Sequence, residues 1–231
     1  MESPVTATRL RLMVTAERLF AVQGINAVSA REIAVAAGQR NTNAVKYHFG
    51  PQQALVDAIF EYRMSRIDAR RTGLIDTYDR AGRATDPYAL AEAFVLPLAE
   101  LMDELRAGED GASHYLRFCV QAAYAVHPDV ATPGPEGLGT TPWATGLKLL
   151  NDRALALSEG APTPRVARRR WEHFAGFAMH ALAERELRLE CDPTHKPDPT
   201  DLYVAELVDA GAAMLTGPSR PSTLALAPAD R

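Results

Sequence analysis

Apolar side chains in this chain of 231 residues recur at intervals of three and four, and no run alternates as a strand between hairpin turns would. That spacing restricts the chain to an all-α fold. Leu12, Met13, Ala16, Leu19 and Phe20 form an apolar stripe on one face of a first helix, which Gly24 can end. Towards the C-terminus, helical spacing predicts elements at roughly 87–106, 112–126, 143–158, 164–189 and 200–216, separated by Pro/Gly-rich breaks. The longest break, His127 to Pro142, has too many prolines and glycines for a helix and reads as a mobile or functional connection. Residues 217–231 read as a disordered tail.

The first fifty residues are organised differently from the rest. Ser29-Ala-Arg-Glu32 fits a capping box and opens a short second helix whose buried face is Ile33, Ala34 and Ala37, with Gly38 as its stop. A polar stretch, Gln39 to Asn43, leads into a third short helix that ends Val45-Lys-Tyr-His-Phe49. Gly50-Pro51 then precedes a longer helix carrying Leu55, Val56, Ile59 and Phe60 on one side. Two short helices joined by a Gly-containing turn and buttressed by a longer one make a DNA-binding unit when the last helix exposes polar groups. Arg40, Asn41, Thr42, Asn43, Lys46, Tyr47 and His48 supply groups suited to base edges and phosphates, while Ala44, Val45 and Phe49 supply an inward face. Short helices with polar outer faces also occur in helical proteins that bind no DNA. Charge favours the first reading: residues 1–50 hold six bases against three acids, whereas the whole chain carries a formal charge of −4.

The string SAREIAVAAGQRNTNAVKYHFGPQQAL from Ser29 to Leu55, with LRLMVTAERLFAVQG before it, resembles the signature of the TetR family of bacterial transcription regulators over roughly residues 9 to 62. It departs from the commonest pattern in having one more residue between Gly38 and His48-Phe49. Lys46 stands where a tyrosine is usual, with Tyr47 beside it, and Pro51-Gln52-Gln53 stands where many relatives carry a lysine. The resemblance implies that Arg31 faces the groove and that Asn41, Thr42, Asn43, Lys46, Tyr47 and His48 line the recognition helix. It implies a helix-turn-helix domain at residues 1–50 and a helical ligand-binding and dimerisation domain at 51–216. It also implies a homodimer on a palindromic operator in double-stranded DNA, more often as a repressor.

For a small hydrophobic effector, the candidate lining is Phe94, Leu98, Met102, Tyr115, Phe118, Cys119, Tyr124, Trp143, Leu147, Phe177 and His180. Trp171, Phe174, Ala178 and Leu182 form one stripe, and Leu202, Val204, Leu207, Val208, Gly211, Met214 and Leu215 crowd the last long helix. Small Gly211 and Ala212 suit a close approach of helices across a symmetric interface. His173 and His180 share a face without a third metal-compatible partner, so neither a metal nor another cofactor is expected. No G-x-S-x-G, P-loop, dinucleotide-binding glycine pattern or H-E-x-x-H occurs, and the expectation is a regulator, not an enzyme. A regulator without a small ligand, and a helical carrier or enzyme, stay open as alternatives. Cys119 and Cys191 read as unpaired thiols, and with no secretory leader or membrane-length apolar run in the sequence the chain is expected to be cytoplasmic.

Overall fold

The computed structural model describes residues 4–108, 111–125, 144–157, 163–192 and 197–226. The described residues are helical without strands. The N-terminal module comprises α1 (Pro4–Gln23), a single 3-10 turn (Ile25–Ala27), α2 (Ala30–Ala36) and α3 (Ala44–Phe49). Leu12, Ala16 and Phe20 from α1 meet Ile33 and Ala34 from α2 and Val45 from α3, all fully or almost fully buried. The stripe read from the sequence is thus the module's core. α2 starts where the capping box places it, with the Glu32 amide donating to Ser29 Oγ at 3.2 Å and the Ser29 amide to Glu32 Oε2 at 2.8 Å. Gly38 has φ +69°, a conformation that a side chain would strain, and it turns the chain from α2 towards α3.

α4 (Gln52–Arg80) completes the module with Leu55, Val56, Ile59 and Phe60 and then continues away from it. Its buried polar residues join it to its neighbours. Arg63 donates from Nε and Nη2 to the Glu17 carboxylate of α1 at 2.8 and 3.0 Å. Burial raises the pKa of Glu17 against the opposing pull of Arg63. Further along, Pro97 interrupts α5 (Pro87–Ala107) and cannot donate to the carbonyl of Ala93. The buried Arg71 Nε donates to that oxygen at 3.2 Å instead. Arg71 also pairs with Asp68, whose carboxylate accepts from the Gly146 and Leu147 amides at 2.9 and 3.1 Å. An α4 carboxylate therefore caps α7 (Thr145–Ala156), where orphan amides and the helix dipole favour negative charge.

α6 (Tyr115–Ala125) is capped in the same way by a distant residue. Glu186 of α8 (Pro164–Cys191) is buried and accepts from Ser113 Oγ at 2.6 Å, the Leu116 and Arg117 amides at 3.2 and 3.0 Å, and Arg117 Nε at 3.2 Å. α9 (Thr200–Thr216) packs along α5, and Arg170 holds the chain that leaves it by donating to the Leu215 carbonyl and Ser219 Oγ. A short α10 (Pro221–Leu226) lies within the segment expected as a disordered tail; residues 227–231 lie outside the described residues. The expected connection at 127–142 also lies outside them. Cys119 is half-buried and Cys191 exposed, both unpaired. Among the described residues no helix is long and apolar enough to cross a membrane.

The C-terminal stripes face a different partner from the one the sequence suggested. Trp171, Phe174, Ala178 and Leu182 are buried within the subunit, as are Val204, Leu207, Val208, Leu215 and Ala212. Gly211 lies against Phe174 and Ala91 of its own chain: a methyl group there would overlap the Phe174 ring, whose Cδ2 would be 2.8 Å away. The close approach that needs glycine is intramolecular because α9 crosses α8 and α5 at this point.

Gly211→Ala is expected to lower stability by about 1–3 kcal/mol through overpacking. Chemical denaturation should show that loss independently of protein concentration, because the clash lies within one chain. Glu186→Ala is expected to lower stability by about 2–4 kcal/mol, since it leaves a buried hydroxyl, two amides and the Arg117 Nε–H without their acceptor while Arg117 keeps Glu190. Glu186→Gln retains one acceptor oxygen, and the same denaturation experiment should show a smaller loss.

Candidate DNA-binding surface

Residues 40–48 form a short projecting surface whose inner side is fixed and whose outer side is polar. Ala44 and Val45 are buried and Phe49 is half-buried, so α3 is seated along one face. Arg40, Asn41, Thr42, Asn43, Lys46 and Tyr47 are exposed, Tyr47 to 82%. Asn41, Thr42 and Asn43 belong to the turn before α3 and not to the helix itself. Asn41 Oδ1 accepts from the Asn43 amide at 2.9 Å, a local bond that competes with helix and holds the turn. His48 is half-buried and meets Tyr47 edge to face at 5.1 Å between ring centroids.

Arg31 is exposed in the first turn of α2. The adjacent Glu32 is engaged by Ser29, whose hydroxyl and amide hold its carboxyl below the ordinary value, so the acid closest in sequence is committed elsewhere. Among the described residues Arg31, Arg40 and Lys46 form no ion pair. Three uncompensated cations on one small module leave a positive field suited to a polyanion.

Two residues outside the sequence-derived set hold this surface in place. Arg9 of α1 donates from Nη1 to the His48 carbonyl at 2.9 Å, and its guanidinium lies 4.4 Å from the Phe49 ring centroid. Gln52 in the first turn of α4 donates from Nε2 to the Ile25 carbonyl at 2.7 Å and to the Val28 carbonyl at 3.4 Å. All three bonds span tens of residues, and helical periodicity carries no signal for such pairs. Gln52 was signalled only by its place after Gly50-Pro51.

The effector candidates divide into three groups. Phe94 packs with Trp171 and Phe174 at centroid distances of 5.6 and 5.5 Å, while Phe118 packs with Phe20, Phe60 and Tyr115 at 6.2, 5.0 and 6.1 Å. Leu98 and Met102 are also buried, and Cys119, half-buried, lies one turn from Tyr115, with its thiol pKa raised by burial. Leu147 is half-buried in the first turn of α7. Phe177 and His180 are not brought to the others: Phe177 is 45% exposed on the outer side of α8, and exposed His180 shares that side. The side chains of Tyr124 and Trp143 lie outside the described residues. A shallow groove of about 550 Å³ occurs elsewhere, between α4 and α5, over Ile67, Pro97 and Leu101 and crossed by the Arg66–Glu104 and Arg70–Glu100 ion pairs.

Comparison with known proteins bears on the N-terminal module. Residues 12–59 match the family model of the bacterial regulatory proteins of the TetR family. None of the curated proteins matches the chain. Among solved structures it is similar to the crystal structure of the TetR family repressor AlkX from Dietzia sp. strain DQ12-45-1b, implicated in biodegradation of n-alkanes. The two are 17% identical, with 92% of this chain and 95% of that chain covered and a TM-score of 0.35, too distant a likeness to carry an argument about the site. The family match covers α1 from Leu12 on, α2, α3, the turns around them and the start of α4, and so includes the exposed polar surface. Residues 12–59 are thus similar to the N-terminal module of the TetR family of bacterial regulatory proteins, and this module is the part of the chain that points to DNA-binding transcription regulation.

Proposed function

We propose that this regulator is a homodimeric repressor that reads a palindromic operator through the turn and helix at residues 40–48 and is released by a small hydrophobic effector. The observation that carries the DNA reading is the pairing of a buried inner face, Ala44 and Val45, with the exposed outer set Asn41, Thr42, Asn43, Lys46 and Tyr47. Asn43 and Arg31 have the donor and acceptor geometry to read adenine and guanine edges in the major groove, whereas Lys46 and Tyr47 suit phosphates. On this reading residues 1–50 are the DNA-binding domain, and the helices within residues 51–216 serve assembly and effector response.

The dimer face we assign is the outer side of α8, where Phe177, His180 and Leu187 are exposed, together with Leu202 at the start of α9. This replaces the Gly211 contact suggested by the sequence, and it gives Phe177 and His180 a role other than pocket lining. For the effector, Leu147 and Cys119 border the packed aromatics of α5 and α6, so an apolar ligand would enter by parting side chains that already touch. A second reading, regulation without a small ligand, is favoured by the near-complete burial of Phe94, Met102, Tyr115 and Phe118 against their own chain.

Selection from random duplex DNA with the full-length protein should recover an inverted repeat whose half-sites lie about 34–36 Å, or one further turn, apart. Asn43→Ala and Arg31→Ala should cost about 1–3 kcal/mol, mainly at the selected site, while Lys46→Ala should weaken all duplexes and lower the salt slope by about one. Failure to prefer any duplex at low salt would refute operator reading. Repeating the titration with a panel of apolar compounds tests release. An effector should weaken operator binding by about 1–3 kcal/mol of coupling, and operator should weaken effector binding by the same factor.

Phe177→Arg should convert the dimer to monomer in sedimentation equilibrium while leaving the helical circular dichroism unchanged, because the side chain is already largely outside the subunit core. A dimer unaffected by that charge would place the interface on another face.

A further inference from the structure

We propose that Arg9 is a positioning residue for the recognition helix, acting from α1 on the last two residues of α3. The proposal rests on the reading of α3 as the operator-reading element and goes beyond it by assigning its orientation to a residue outside the reading surface.

α3 has only six residues, and the side chain of its N-cap, Asn43, makes no capping bond. So short a helix has almost no cooperative stability of its own. Its C-terminal carbonyls lack intrahelical donors, and the partial negative charge of the helix end lies there. Gly50 donates its amide to the Lys46 carbonyl. Arg9 supplies the His48 carbonyl with a charge-assisted bond of 2.9 Å and lays its guanidinium plane over Phe49, 4.4 Å from the ring centroid. One side chain thus fixes both the end of the backbone and the aromatic that seats the helix. Because Arg9 is itself on α1, whose Leu12, Ala16 and Phe20 are anchored in the module's core, the clamp ties α3 to a rigid body.

A clamp and a phosphate contact make opposite predictions about salt. A residue that neutralises a phosphate changes the slope of log affinity against log salt by about one, whereas a residue that orients the helix changes specific affinity at constant slope. The two roles also differ in how lysine substitutes: it keeps the charge but has neither the planar stack nor the fixed fork of donors.

The test uses full-length wild type, Arg9→Ala, Arg9→Lys and Phe49→Leu. Each is titrated with the duplex selected by wild type and with a random-sequence duplex across a salt series. Amide hydrogen exchange is followed on the free proteins. Arg9→Ala should bind the selected duplex about tenfold more weakly, with the salt slope unchanged and the random duplex little affected. Arg9→Lys should recover only part of the loss. Phe49→Leu, which retains Arg9 and its bond, should fall between wild type and Arg9→Ala, and it keeps the proposal testable if Arg9→Ala fails to fold. Amides of residues 47–50 should exchange faster in Arg9→Ala while those of α1 and α4 hold. A slope lowered by about one unit, full rescue by lysine, or wild-type affinity and exchange in Arg9→Ala would each overturn the positioning role and leave operator reading intact. Wild type that prefers no duplex would overturn both.

Discussion

A helix of six residues such as α3 cannot hold its shape alone in water, and the N-terminal module is arranged around that constraint. Burying Ala44 and Val45 seats one face of α3 on the module's core. The Asn41 side chain shapes the turn that leads into the helix. Gly50 and Arg9 then satisfy carbonyls at its end. The polar side chains of Arg40, Thr42, Lys46 and Tyr47, which take no part in this support, are left outward.

The remainder of the chain solves a related problem at its helix ends. α6 and α7 begin without a serine, threonine or aspartate at the N-cap making a side-chain bond, and in each case a buried carboxylate from another helix takes that place. Asp68 and Glu186 act as both caps and inter-helix ties. Arg71 does the converse for the carbonyl that Pro97 leaves without a donor. A buried carboxylate or guanidinium is tolerated when it has enough partners, and here the partners are backbone groups that would otherwise be orphaned. The arrangement is specific because a shift of one turn in α4 or α8 would leave both the cap and the charge unsatisfied.

This separation of local from distant bonds decides what could be read from the sequence. The Ser29–Glu32 capping box spans three residues and was legible, as were the periodic faces that fix the helices and the family resemblance that fixes the module. The Arg9–His48 bond spans 39 residues, Arg63–Glu17 spans 46, and Glu186 to the Leu116 amide spans 70. No helical period encodes those pairings. Periodicity also cannot tell which partner covers an apolar stripe. It marked Val204, Leu207, Val208 and Gly211 as one covered face, and the structure shows that the cover is the subunit's own Phe174 and α5. The aromatic candidates for an effector pocket were legible as buried residues, but packed core and pocket wall have the same composition, so sequence alone could not separate them. The resemblance places Asn41, Thr42 and Asn43 on the recognition helix, and they lie just ahead of α3, since the Asn41 side chain accepts from the Asn43 amide and holds a turn there.

The distant bonds form an unbroken mechanical series from one end of the molecule to the other. Glu186 fixes the N-terminus of α6 to α8. Phe118, in the first turn of α6, packs on Phe20 near the C-terminal end of α1 at 6.2 Å and on Phe60 of α4 at 5.0 Å. Arg9 stands near the other end of α1, eleven residues and three helical turns away, and grips the end of α3. α1 is therefore a single rod with α3 at one end and the α6 contact at the other, braced one turn before that contact by the Glu17–Arg63 pair to α4. A close-packed rod transmits a displacement at one end as a displacement at the other because its interior has little free volume to absorb it. The supports of α3 and the seat of α6 are thus parts of one packed body, joined through α1 as well as through α4.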